Sequence, residues 1–317
     1  MILMAGLTGL AIATNAQGGS GMPTAGRFAP EPSPALQQRV DRAVARTVEA
    51  FTGRELKAEQ LAVTLIDLTD AAQPRTASHR GEASIYPASV IKLFYLVAAH
   101  RWMQDGRLED TPELRRAMSD MIVHSYNEAT HYVIDLLTGT TSGPELSEAD
   151  LRVWFDRRDE VNRYFWSLGY RHVNANKKPW CEGPYGRESQ AIRTLPRPRN
   201  MLTTDDTARL LAEIVTGRAV TPERSREMLA LMERDSGGAD GDPDGQARFT
   251  GPALPPGAKL WSKAGWTSET RHDAVYVEFP DGRRWVLVMF TVDHAYERGI
   301  LQTLARELLE APASPNR

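Results

Sequence analysis

The sequence predicts an α+β fold: an antiparallel sheet built from the N- and C-terminal segments, flanked by helices, with an all-helical lobe inserted between them. Three observations lead there. Strand-like runs occur early, at residues 61–68, and again late, at 273–279 and 284–291. Between them, apolar residues recur at helical spacing instead of alternating. The late pair flanks Pro280-Asp281-Gly282 and reads as a hairpin. Strands at both ends with helices between bring the two ends into one sheet, and leave a cleft beside the inserted lobe.

In order, Leu36, Val40, Ala43, Val44, Val48 and Phe51 fall on one face of a helix over 34–51. The β-branched run LAVTLIDL predicts a strand over 61–68, and residues 79–86 are expected to pair with it after a turn at 70–74. Residues 89–102 are apolar with few breakers, as in a buried helix, and 114–137 carry one or two more. Residues 151–200 read as irregular, and their second half, 174–200, as a long functional loop. Thr203-Thr204-Asp205-Asp206 predicts the cap of a helix running to Val215, with Gly217 as its stop. Further helices are expected over 221–233 and 298–309.

The 317 residues are 41% hydrophobic and 25% charged, which excludes collagen-like, coiled-coil and mostly disordered chains. A net charge of −3 gives no electrostatic footprint for nucleic acid or an anionic membrane. The single cysteine, Cys181, excludes an internal disulfide framework and a multi-cysteine zinc site. Residues 1–13 form an apolar run, followed by Thr14-Asn15-Ala16, and 1–16 read as a signal peptide. The expectation is therefore an exported protein, periplasmic or secreted, with no stable membrane anchor after cleavage. Gly-, Pro- and Ser-rich residues 17–33 read as a flexible linker. The main domain follows at 34–317, with an α/β lobe at 34–88 and 205–317 and a helical lobe at 89–204.

Three short motifs carry chemistry, in this order: Ser89-Val90-Ile91-Lys92, Ser125-Tyr126-Asn127 and Lys263-Ala264-Gly265. A serine three residues before a lysine sets both side chains on one helix face, where a neutral amine can take the hydroxyl proton. By chance, one Ser-x-x-Lys would occur about 0.3 times in this composition, so the motif alone is weak. Its place at a strand-to-helix junction strengthens it, as do the two motifs that follow.

Together they resemble the Ser-x-x-Lys, Ser-Asp-Asn and Lys-Thr-Gly signature of class A β-lactamases and penicillin-binding proteins. The similarity extends to MIVHSYNEATHYVIDLL and WSKAGWTSETRHDAVYVEFPDGRRWVLVMFT. It implies the β-lactamase/transpeptidase-like fold and an acyl-enzyme on Ser89, with Lys92 as proton acceptor. It further implies that Ser125 relays a proton to the leaving nitrogen, Asn127 orients Lys92 and substrate, and Lys263 holds a substrate carboxylate. The N–H groups of Ser89 and Trp266 would form an oxyanion hole, and no metal or organic cofactor is implied.

This chain departs from the family pattern in places. Tyr126 replaces Asp, and Ala264 replaces Thr, removing a hydroxyl for the substrate carboxylate. Thr267, Ser268 or Arg271 is expected to compensate, Arg271 by bidentate contact; Gly265 and Tyr126 complete the expected substrate-binding set. The short span from Ser89 to Ser125 implies loss of a loop that walls the cleft. For the deacylating glutamate, Glu182 is the candidate and Glu188 the alternative, and neither stands in the family's Glu-x-x-x-Asn spacing.

Each motif has a plainer explanation: a capping serine with a surface lysine, two polar residues on an exposed helix, a strand end with a turn glycine. Their conjunction favours catalysis. Asp240, Asp242, Asp244 and Gly245 resemble the start of a calcium loop, but Gly251 stands where its glutamate belongs, so a solvated acidic turn is expected. His124 and His131 read as structural or cleft-lining, and the aromatics of 154–166 as core. The reading is a monomeric serine hydrolase of a small β-lactam or peptidoglycan-like substrate, first of all a β-lactamase. The alternatives are a D-alanyl-D-alanine carboxypeptidase, an esterase or amidase, and a weakly catalytic peptidoglycan-binding module.

Overall fold

The computed structural model describes residues 28–180, 182–196, 199–235 and 244–310. The expected signal peptide, most of the linker, Cys181, Asp240 and Asp242 lie outside the described residues. The chain opens with β1 (Glu31–Pro32), α1 (Pro34–Ala50), β2 (Leu61–Asp67) and β3 (Arg75–His79). The helical stretch holds α2 (Lys92–Gln104), α3 (Pro112–Val123), α4 (Asn127–Thr138), α5 (Glu148–Arg158), α6 (Glu160–Ser167) and α7 (Gly186–Thr194). Then come α8 (Thr204–Val215), α9 (Pro222–Met232), β4 (Glu233–Arg234), α10 (Ala247–Thr250), β5 (Lys259–Trp266), β6 (Thr270–Glu278), β7 (Arg284–Val292) and α11 (Gly299–Leu309).

The strands form one sheet in the order β1-β3-β2-β7-β6-β5-β4, antiparallel apart from the β1–β3 edge pair. The pairing of β2 with β7, from Leu61↔Thr291 to Asp67↔Trp285, joins the two ends of the chain as the segment order requires. Alternation decides the layers. Leu61, Val63 and Leu65 of β2 face one core with Val44 of α1 and Leu304 of α11, whereas Ala62 and Ile66 face the other, under α8 and the helical lobe. Both sheet faces are therefore dry, which explains why β2 is almost continuously apolar.

Three sequence expectations are corrected. The partner of β2 lies at 75–79 and not at 79–86, because Arg80 turns into the left-handed region (φ 49°) and Gly81 then packs on Asp205. Residues 28–33 belong to the fold and not to a linker: Phe28 is buried and Glu31 pairs with Arg75. Residues 151–200 are not irregular throughout, since they contain most of α5 and all of α6 and α7. In α5 the buried positions are Leu151, Trp154, Phe155 and Arg158, a proper helical stripe masked by the arginine in its last place. That guanidinium is fully buried and bonds both oxygens of Glu188 on α7, at 2.8 and 3.1 Å.

His272 of β6 ties the sheet to the turn before α2. Its Nδ1 accepts the Thr291 N–H (3.1 Å), so Nε2 carries the proton and donates to the Tyr86 carbonyl (2.9 Å). Burial holds this imidazole at a pKa of about 4. The unfolded chain thus binds a proton below pH ~6.5 that the folded chain refuses until about 4. Stability from neutral His272 is complete above that window and lost as pH falls through it, by about 3 kcal/mol. Urea unfolding between pH 7 and 4.5 should therefore destabilise the parent more than a His272→Gln variant; equal losses would contradict this.

Candidate active site

The turn that carries Ser89 is strained. Ala88 has φ 45°, a conformation worth about 1–3 kcal/mol of strain in a non-glycine residue. A 3₁₀ turn over Ala88–Ile91 follows, in which side chains three apart eclipse, so Ser89 and Lys92 share a face. Gly265 of β5 lies directly against this turn. A Cβ there would sit 2.7 Å from Ser89 N and 2.9 Å from Pro87 O, so only glycine permits the approach.

The second strained residue is Ser125 (φ 58°), between α3 and α4. Its carbonyl receives a hydrogen bond from Lys92 Nζ at 2.6 Å, and the same amine donates to Asn127 Oδ1 at 2.9 Å and to Ser125 Oγ at 3.2 Å. Lys263 Nζ approaches from β5, donating to Ser125 Oγ (3.0 Å), Gln246 Oε1 (2.8 Å) and the Ala264 carbonyl (2.8 Å). Both lysines are fully buried. Burial, then the neighbouring charges of Lys92 and Arg234, hold the Lys263 amine well below the usual lysine range; Asp273 opposes them. Asp273 is itself pushed up to about 6, mainly by burial, and bonds Ser262 and Thr250.

Ser89, Ser125, Asn127, Gly265 and Trp266 line one cleft of ≈ 1010 Å³. Tyr126 and Trp266 stand exposed on its walls, and His124 stacks on Tyr126 at 5.3 Å. Other expected residues lie elsewhere. Arg271 pairs across the strands with Trp266 and is buried over the Phe249 ring, bonded to Asp244 (3.0 Å), so its guanidinium does not line the cleft. Asp244 also binds Arg298, and two guanidiniums occupy the carboxylate that the calcium pattern would need. Thr267 is spent within the β5–β6 turn, bonding Thr270 and Glu269, and Ser268 is exposed there. Glu182 is exposed outside the cleft, and Glu188 is buried against Arg158. Among the described residues no cluster of three metal-ligating side chains occurs, and no helix is long and apolar enough to cross a membrane. The sequence reading missed Gln246, in a loop, and Arg234, in the two-residue β4, where no periodic pattern exists, and Asp273, a buried carboxylate within the otherwise legible strand β6.

Removing one partner of a buried ion pair leaves the other charge uncompensated. Glu188→Gln should lower the unfolding free energy by about 3–5 kcal/mol in urea titration; an unchanged value would free Glu188 for another role.

Comparison with known proteins bears on the fold and the family. A model described as the β-lactamase enzyme family matches residues 109–311, well over half the chain, including Ser125, Asn127 and Lys263. Ser89 and Lys92 lie upstream of the match and are brought to it by the fold. No curated protein matches the chain. Among solved structures, a β-lactamase from Sphaerobacter thermophilus is similar at 22% identity and TM-score 0.60, over 86% of this chain and 96% of that one. A point mutant of PBP-A, solved as an acyl-enzyme complex with penicillin G, is similar at 20% identity and TM-score 0.61, over 89% and 97%. A β-lactamase from Xanthomonas campestris gives 16%, 0.61, 85% and 97%. With the family model covering most of the helical lobe and the closing strands, the chain belongs to the β-lactamase enzyme family.

Proposed function

We propose that this chain is a serine hydrolase that works through an acyl-enzyme on Ser89, acting on amide bonds of the β-lactam or D-alanyl-D-alanine type and releasing the acyl group slowly. The observation that carries the reading is the Ser125 hydroxyl, held by two buried amines on the cleft that Ser89 also lines. In the forward step, Ser89 Oγ bonds to the substrate carbonyl carbon while Lys92 takes its proton. The C–N bond then breaks, and its nitrogen receives a proton through Ser125 Oγ–H. Lys263 supplies positive charge and feeds that hydroxyl, and the proton taken up by Lys92 then returns to Lys263 through the same oxygen. Ser89 and Trp266 N–H groups are the proposed oxyanion donors.

Slow release follows from Glu182 and Glu188. Hydrolysis of the ester needs a base for water; among the described residues no glutamate of 174–200 lines the cleft, and of the carboxylates that do, Glu233, Asp235 and Asp244, the last is held by Arg271 and Arg298. This favours penicillin-binding behaviour over rapid β-lactam hydrolysis. The captured acyl-enzyme of PBP-A with penicillin G supports the same chemistry. Export by a signal peptide over 1–16 and action as a monomer belong to the same reading.

Intact-mass measurement after incubation with benzylpenicillin should show one added penicilloyl group that persists for many minutes and is absent in Ser89→Ala. Acylation should slow as pH falls, because protonated Lys92 cannot accept the serine proton. An adduct retained in Ser89→Ala would contradict the nucleophile, and an adduct lost within seconds would contradict the slow release.

A further inference from the structure

Gln246 occupies a position that the roles assigned so far do not explain. Its Oε1 accepts from Lys263 Nζ (2.8 Å) and from the Ala264 N–H (3.1 Å). Its Nε2 donates to the carbonyls of Ile122 and Val123 (both 2.8 Å), the last residues of α3. Those carbonyls have no partner within their own helix. All four hydrogen-bonding positions of the amide are used, and two donors on one side with two acceptors on the other leave only one orientation. The side chain thus joins the helical lobe to β5 within the cleft wall. We propose that Gln246 is a positioning residue, holding the Lys263 amine against Ser125 while contributing no charge.

The neutrality matters chemically. Lys263 faces Lys92 from α2, Arg234 from β4, Asp273 from β6 and the Ser125 hydroxyl. A carboxylate in place of the Gln246 amide would add an anion in direct contact and fix the proton on Lys263. An amide oxygen fixes the geometry and leaves the amine free to exchange its proton. The role rests on the proposed proton transfer through Ser125, so its test includes a readout that needs no substrate.

The six lysines permit a ¹³Cε-lysine NMR titration of the unliganded protein, run beside the pH profile of acylation by a fluorescent penicillin. In Gln246→Glu the Lys263 titration should rise by about one pH unit or more, a tenfold change in proton affinity, with the alkaline limb of acylation, where Lys263 loses its proton, moving the same way. In Gln246→Met, of similar volume, the acylation kcat should fall about 100-fold with KM little changed and the unfolding midpoint within a few degrees of the parent. An unmoved Lys263 titration in Gln246→Glu, or parental acylation in Gln246→Met, would overturn the proposal. Failure of both variants to fold would overturn it too, by making Gln246 a purely structural clamp. A parent that is never acylated defeats the proposed function, while the lysine titration still decides the role of Gln246.

Discussion

One hydroxyl between two buried amines is the constraint on which the rest of this molecule depends. Ser125 Oγ lies 3.2 Å from Lys92 Nζ and 3.0 Å from Lys263 Nζ. Two ammonium groups are costly to hold together in a dry site, and the Lys263 amine is met by neutral acceptors: the Ser125 hydroxyl, the Gln246 amide and the Ala264 carbonyl. Around Lys263 the surroundings supply hydrogen-bond acceptors in direct contact and keep the Asp273 carboxylate engaged by Ser262 and Thr250. That environment lowers the proton affinity of the Lys263 amine.

The architecture converges on this arrangement from three directions. The α3–α4 junction takes a left-handed turn at Ser125 to present both its carbonyl and its hydroxyl. The strained turn at Ala88 sets Ser89 and Lys92 on one face, and His272 anchors its approach through Tyr86. The edge of β5 brings Lys263 in, and Gly265 allows the strand to pass against Ser89. A sheet dry on both faces fixes the register of β5 and β6, because a slip of one residue would turn Lys263 into the core occupied by Ala264.

The centre of the candidate site was more legible in the sequence than its walls. Ser89, Lys92, Ser125, Asn127 and Lys263 form local motifs, and the terminal strands carry apolar runs with a clear turn. Arg271 drew attention because its type suits a carboxylate, whereas in the fold it is buried over Phe249 and its guanidinium is already engaged by Asp244. Glu188 looked chemically available because the sequence hides the buried Arg158 that neutralises it, and the same arginine concealed α5. Gln246 left no trace at all. Its role exists only where a loop, a helix end and a strand meet, separated in sequence by more than a hundred residues at one junction and 17 at another.

The most direct test is a double-mutant cycle on the rate of acylation, combining Ser125→Ala with Lys263→Met. If Lys263 acts through the shared hydroxyl, its loss should slow the parent strongly and the Ser125→Ala background hardly at all. Fully additive losses would mean that the two residues act independently, and would contradict the central role given to Ser125.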